Sequence, residues 1–301
     1  MISISEIKQI FKGKISLNEK LAPFTTFRIG GVADYYVEPV DAQDILNIIK
    51  YLKKKDVPYY VMGNGSNVLI SDEGIRGVVI NLESGFGYLK HEEGKIIAGA
   101  GAKIARFVDF CIQNNYAGVE MIAGIPATVG GALIMNAGAY GGEISAYVTE
   151  VQVIKNGEVK RLSREECGFV YRNSALWNTV ILEGVFQFPY GEPEEVSRKR
   201  KELLLKRNAV QPVEIPSAGC FFKNPAGSYA AKLIEECGLK GTSVGGAMVS
   251  PKHANFIVNY DNATAHDVIE LVKLIRQTVH EKTGIELTLE VKLIGFEEVP
   301  I

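Results

Sequence analysis

Ile122–Ile144 reads IAGIPATVGGALIMNAGAYGGEI, with six glycines, five alanines and one charged residue, Glu143. Glycine admits positive φ and lets another surface approach where a Cβ would stand. Connecting segments are normally polar, because exposed backbone and side chains are solvated. A segment so poor in charge and so rich in small residues is therefore expected to be covered. A single Gly-Gly pair would suit a buried crossover between strands. Gly124, Gly130, Gly131, Gly138, Gly141 and Gly142 together favour backbone packed closely against a large flat ligand.

Upstream, Lys95–Ile104 (KIIAGAGAKI) imitates the strand–GxG–helix start of a dinucleotide fold. Its third small position is Ile104, and no acidic ribose ligand ends a following strand, so that fold is rejected. The helix from Ala102 to Asn115 carries Ile104, Phe107, Val108 and Cys111 on one face, which makes Cys111 a core residue. Further upstream, PYYVMGNGSNVLISD is an apolar strand, a tight loop and a second apolar strand. In Gly63-Asn64-Gly65-Ser66-Asn67 the two glycines can turn successive N–H groups to one side, where Ser66 and Asn67 add donors. Such a concavity binds phosphate; an Asn-Gly hairpin turn is the alternative. Asp41 caps a helix that buries Ile45, Ile48, Ile49 and Leu52. The opening residues read as a helix from Ser5 to Phe11, and a strand ends near Pro39.

Downstream, TEVQVIKNGEVKRLS is a hairpin turning at Asn156-Gly157. Ser163 and Glu166 form a capping box for a short helix containing Cys167. YRNS contains Arg172, and TVILEGVFQF is a strand. A basic helix from Glu192 to Arg207 has the pattern of a solvated face, with an anion contact at its Arg207 end. A helix of about Ser228 to Cys237 stops at Gly238, which leaves Cys237 in the core. VGGAMVSPKHANFIVNY is a strand pair, and Thr264–Thr283 is a capped helix burying Val268, Leu271, Val272, Ile275 and Val279. IELTLEVKLIGF alternates as a closing strand. Strand–helix–strand organisation of this kind is the α/β style.

With 301 residues, 23% charged and 47% hydrophobic, the chain can form two or three domains. A net charge of −2 argues against nucleic acid as a partner. No apolar run has the ~20 residues that span a bilayer, so no membrane association is expected. The N-terminus lacks a signal-peptide core, and a cytoplasmic location is expected. Cys111, Cys167, Cys220 and Cys237 have neither disulfide-framework nor CxxC spacing, and no metal is expected. The oligomeric state is not encoded in any motif; a monomer is compatible with the sequence.

GNGSNVL, GIPATVGGALIMNAGAYGGEI, YRNS and SAGCFFKNP, followed by LEVKLIG, occur in that order. From about Pro23 to Phe296 the chain resembles the MurB-type UDP-N-acetylenolpyruvoylglucosamine reductase family. The short interval between Arg172 and Pro212 resembles the compact subgroup lacking an extra tyrosine-bearing loop. The resemblance implies an α+β fold, with a two-part FAD-binding module of the vanillyl-alcohol-oxidase (PCMH) type at residues 1–84 and 85–193. A C-terminal α/β substrate domain would follow at 194–301, with a last strand able to pack back on the first part. It implies FAD as cofactor, NADPH as reductant, and a UDP-sugar as small-molecule partner. Asn64, Gly65, Ser66, Asn67 and Val68 would hold the FAD pyrophosphate. Gly124, Ile125, Pro126, Thr128, Val129, Gly130, Gly131, Asn136, Ala137, Gly138 and Gly141 would line the rest.

The resemblance also implies three catalytic residues, which the fold must bring to one substrate. Hydride added to C3 of an enol ether leaves negative charge at C2, delocalised into the carboxylate; that charge needs stabilisation and then a proton. Arg172 matches the family's arginine, a fixed cation. Glu290 matches the glutamate and would have to carry a proton to help. Cys220 stands where many relatives have serine, as proton donor, and a thiol with pKa near ~8.5 is far more acidic than an alkyl hydroxyl. Lys223, Asn224, Lys240 and His253 match positions that hold the nucleotide-sugar. An oxidase of the same fold, using O2, needs no such proton donor, and a non-catalytic nucleotide-binding module would carry no flavin.

Overall fold

The computed structural model describes residues 2–298. In chain order the elements begin with α1 (Ile4–Ile10), β1 (Lys14–Lys20), β2 (Val32–Glu38), α2 (Ala42–Lys54), β3 (Tyr59–Met62), β4 (Val68–Ile70) and β5 (Ile75–Asn81). Next come α3 (Glu83–Phe86), β6 (Leu89–Glu92), β7 (Lys95–Gly99), α4 (Ile104–Gln113), α5 (Val129–Ile134), β8 (Gly138–Ala139) and β9 (Gly142–Glu143). Then follow β10 (Val148–Lys155), β11 (Glu158–Ser163), β12 (Val180–Phe186), α6 (Pro193–Val210), β13 (Ser217–Cys220) and α7 (Ala230–Glu236). The described chain ends with β14 (Ser243–Val244), β15 (Ala247–Val249), β16 (Phe256–Asn259), α8 (Ala265–Thr283) and β17 (Lys292–Ile294).

These elements make two compact units, each drawn from separate stretches of chain. Unit 1 comprises Met1–Leu17, Tyr35–Asn64 and Gly77–Lys206; unit 2 comprises Asn18–Asp34, Gly65–Arg76 and Arg207–Ile301.

The core of unit 1 forms where amphipathic helices meet strands. Asp41 accepts from the Asp44 N–H and starts α2, whose Ile45, Ile48, Ile49 and Leu52 are all buried. A four-stranded sheet has the order β1–β2–β5–β3, and a five-stranded sheet the order β11–β10–β12–β7–β6. In the latter β7 pairs antiparallel with both β12 and β6, which a parallel dinucleotide fold would not allow. Phe107 of α4 packs against Phe186 and Phe188. β10 and β11 turn at Asn156 and Gly157, both at positive φ, as the Asn-Gly pair requires. Ser163 and Glu166 exchange the two hydrogen bonds of a capping box, yet the segment remains a turn. Gly168 takes φ +54 and Ala175 N–H bonds the Cys167 carbonyl, so the chain folds back before a helix can propagate.

Unit 2 is built on α8. Thr264 and Asp267 complete a capping box, Gly284 terminates the helix in left-handed geometry, and the Val268–Val279 stripe is buried. Burying each such aliphatic side chain contributes about 1.5–3 kcal/mol. The stripe packs with Phe27, Ile29, Leu69, Phe221, Phe222 and Leu233. A sheet of order β13–β16–β15–β14 covers it, and β17 pairs in parallel with β4.

The closing segment departs from one continuous strand. Leu287 and Val291 are buried and Glu286 and Thr288 exposed, so the alternation holds. Its pairing changes midway, however: Leu289 bridges Phe222, whereas Lys292 to Ile294 pair with Val68 to Ile70. Glu290 lies at the change of partner. Among the described residues no helix is long and apolar enough to cross a membrane. Nor do any three His, Cys, Asp or Glu residues there form a metal-binding group.

Candidate active site

In unit 1 the first half of the GNGSN loop, Gly63 and Asn64, meets the glycine-rich stretch. β3 belongs to one sheet and β4 to another, so Gly63–Asn67 is not a hairpin turn. Buried Asn81 donates to the carbonyls of Met62 and Gly63 and fixes the start of the loop. Asn64 Nδ2 donates to the Pro126 carbonyl at 2.7 Å, and a Cβ on Gly63 would collide with Thr128 Oγ1. Thr128 in turn caps α5 by accepting from Gly131 N–H. Two loops 62 residues apart in sequence thus form one surface.

The GAGA decoy explains part of that surface. Val129 and Gly130 N–H bond the carbonyls of Ala102 and Ala100, each at 2.8 Å, and Ile104 N–H bonds Ala127. A Cβ on Gly130 would stand 2.9 Å from that of Ala100, and one on Gly142 would stand 2.8 Å from that of Met121. Those two glycines are required by the protein's own packing. Gly124, Ile125, Pro126, Gly131, Ala137, Gly138 and Gly141 keep exposed or half-exposed surface, whereas Thr128, Val129, Gly130 and Asn136 are buried.

Arg172 occupies a two-residue turn closed by reciprocal hydrogen bonds between Val170 and Asn173, at 3.0 and 3.1 Å. Its φ of +53 lies in the left-handed region, a conformation non-glycine residues hold only when their surroundings enforce it. Trp177 Nε1 donates to Asn173 Oδ1, and Ser174 Oγ donates to the Ile134 carbonyl. The guanidinium lies 5.0 Å from the centre of the Tyr171 ring and donates Nη2–H to the Gly138 carbonyl at 2.9 Å. A sequence-predicted catalytic residue and a sequence-predicted cofactor residue are therefore in direct contact.

Cys220 and Glu290 belong to unit 2. Gly219 takes φ +79 where the β13–β16 register shifts, so β13 bulges beside Cys220. Cys220 is half-buried, while Cys111, Cys167 and Cys237 are buried; burial pushes the Cys167 thiol up to about 11 and Cys111 up further. The Phe221 carbonyl, next in chain to Cys220, accepts from Glu290 N–H at 2.9 Å. The Glu290 carbonyl accepts from Asn67 Nδ2 at 3.2 Å, and Lys292 N–H bonds the Asn67 carbonyl. Backbone hydrogen bonds and one from the Asn67 side chain thus connect the Cys220 strand, Glu290 and the second half of the GNGSN loop, Gly65 to Val68.

Lys223 N–H bonds the Thr288 carbonyl, which lays the KNP segment along the approach to Glu290. Burial, then the charge of Lys223, pull the Lys292 ammonium below its ordinary range, while Glu290 opposes the shift. Asn224 Oδ1 accepts from Ala230 N–H and starts α7. Lys240 reaches Glu235 at 2.7 Å, so an anionic ligand there competes with a carboxylate. His253 stands edge-on to Phe256, and its Nδ1 accepts from Asn255 N–H. Burial, together with the charge of Lys240, lowers its basicity, so at neutral pH it is a neutral ring whose Nε2 carries the proton.

Sequence reasoning missed several supports. Asn255 is buried and bonded to both N–H and C=O of Phe222, and the local sequence HANF carries no signal of it. Glu120 is 2% exposed and paired with Lys199 at 2.7 Å, and Arg198 and Arg200 of α6 pair with Glu202 and Asp109. Lys292 was legible only as an alternating strand residue.

Residues 33–163 match the family described as FAD binding domain, and residues 211–294 the one described as UDP-N-acetylenolpyruvoylglucosamine reductase, C-terminal domain. The UDP-N-acetylenolpyruvoylglucosamine reductase of Caldanaerobacter subterraneus subsp. tengcongensis is 43% identical, covering 98% of each chain. That of Chloroherpeton thalassium is 40% identical over 99% of each. The crystal structure of the reductase from Thermus caldophilus gives a TM-score of 0.81 at 36% identity, covering 94% of this chain and 99% of that one.

Proposed function

The chain belongs to the UDP-N-acetylenolpyruvoylglucosamine reductase family, and on that premise we propose that it uses NADPH and FAD in the cytoplasm to reduce UDP-N-acetylglucosamine enolpyruvate to UDP-N-acetylmuramate for peptidoglycan synthesis. The residues present fit FAD. The GNGSN loop, not a hairpin turn, meets Gly124–Gly131 through Asn64 and Pro126, and Gly131 has room in front of it. Asn64 to Val68 would hold the pyrophosphate, and the open residues of the glycine-rich stretch would line the rest. FAD bound there, once reduced by NADPH, would supply hydride chemistry toward C3 of the enolpyruvyl group.

The chain's own residues manage the charge and the proton that follow. Arg172, always cationic and tethered to the Gly138 carbonyl, neutralises the carboxylate as charge spreads into it. Cys220 donates the proton to C2 and is left as thiolate, to be reprotonated from solvent. Glu290, entering protonated, donates a hydrogen bond to the enolate. Lys223, Asn224, Lys240 and His253 hold the nucleotide-sugar, His253 through a neutral N–H donor.

The observation that carries this reading is the hydrogen-bonded run from Phe221, beside Cys220, through Glu290 to Asn67. It joins the proton-donor strand, the glutamate and the phosphate loop. Purified protein should be yellow, and should oxidise NADPH in strict dependence on the UDP-enolpyruvyl sugar. A colourless protein, or NADPH oxidation that needs only O2, would sink it.

A further inference from the structure

The one charged side chain of the glycine-rich stretch, Glu143, has no part in the mechanism above, yet it anchors a hydrogen-bond network centred on Asn136. Asn136 is 1% exposed and takes φ +44 just after α5, where glycine or asparagine usually ends a helix. Its Nδ2 donates to Glu143 Oε2 at 2.8 Å and to the Val170 carbonyl at 3.1 Å, and its Oδ1 accepts from Ser145 N–H. Reversing the amide would set its oxygen against the carboxylate and its N–H against another N–H, so the network admits one orientation. Val170 opens the turn that holds Arg172 in left-handed geometry. Glu143 is also paired across the β8–β9 hairpin with Gly138, whose carbonyl receives the Arg172 guanidinium.

From this geometry we propose that Glu143, acting through Asn136, is a positioning residue for Arg172. The carboxylate makes a charge-assisted bond that holds Asn136 rigid. Asn136 holds the first residue of the Arg172 turn, and the hairpin bearing Glu143 supplies the guanidinium's acceptor. Both ends of the arginine are thereby referred to one residue, the backbone through the Glu143 carboxylate and the head group through the strand pairing of Glu143 with Gly138. A strained turn persists only where such support over-determines it. The inference rests on the reductase reading for the consequence of moving Arg172, but not for the network itself.

The test is Glu143→Ala beside Glu143→Gln and the parent protein, all as flavoprotein. Glu143→Gln keeps an acceptor for Asn136. Glu143→Ala should keep its flavin, and NADPH should reduce that flavin at the parent rate. Re-oxidation by the UDP-enolpyruvyl sugar should slow about 10- to 100-fold, the scale of a misplacement near 1 Å, and Glu143→Gln should restore most of it. Independently of any activity, amide exchange at residues 170–173 should accelerate in Glu143→Ala while the rest of the chain is unchanged. Unaltered exchange and unaltered re-oxidation would overturn the proposal. So would a Glu143→Ala protein that loses flavin and slows equally in both half-reactions, which is the signature of a merely structural residue. If the parent protein itself fails to be re-oxidised by the sugar, the reductase reading falls, while the exchange arm still decides the network.

Discussion

His253 shows how burial favours one protonation state of a single ring. Burial lowers its affinity for a proton, and the charge of Lys240 lowers it further. The folded state therefore binds fewer protons at this site than the unfolded state. Its contribution is fully present above the ordinary histidine value near 6.5 and is lost as pH falls from there through the lowered folded value. Urea midpoints measured between about pH 7 and pH 5 should fall less steeply in His253→Asn, whose side-chain oxygen can still accept from Asn255 N–H. An identical slope in both proteins would show that the ring is not held neutral. At this scale the sequence offers candidates where a motif marks the residue, as with Cys220 in SAGCFF or Arg172 in YRNS. It was silent about Asn255 and Lys292, because their partners, Phe222 and the Asn67–Val68 loop, are far away along the chain.

Among the elements, α5 and its flanks separate two reasons for a glycine. Gly130 faces Ala100 across a gap its own Cβ would close, whereas a Cβ on Gly131 would meet only Thr128 Oγ1 at 3.5 Å, an ordinary contact. Gly130→Ala should lower the stability of the flavin-free protein by about 1–3 kcal/mol, as overpacking does. Gly131→Ala should leave that stability near the parent value and reduce flavin retention. Urea denaturation and flavin content distinguish them; equal stability loss in both would mean that neither glycine provides clearance for the cofactor. The same contrast measures what the sequence could tell. α2, α8 and the β10–β11 hairpin were legible because their caps, stripes and turn residues act within a few positions. The glycine-rich stretch by its sequence favours clearance for a ligand over a buried crossover. The structure divides it, because the alanines it packs against, Ala100 and Ala102, lay in a segment that resembled another fold. The closing strand was read as continuous because alternation survives a change of pairing partner.

For the whole molecule, two units of interleaved chain each carry part of the proposed chemistry. Unit 1 bears Arg172 with the Gly138 hairpin and Asn64 with Pro126; unit 2 bears Cys220, Glu290 and the half-loop Gly65 to Val68. The central claim is that Cys220 supplies the proton that completes reduction of the enolpyruvyl group, and it divides the reaction into steps that one residue affects unequally. The most direct test is anaerobic stopped-flow absorbance of bound flavin in Cys220→Ala and the parent protein. NADPH is added first, then the UDP-enolpyruvyl sugar. NADPH should bleach both proteins at similar rates, and the sugar should restore colour in the parent but not in Cys220→Ala. Colour returning in the variant as fast as in the parent would contradict it.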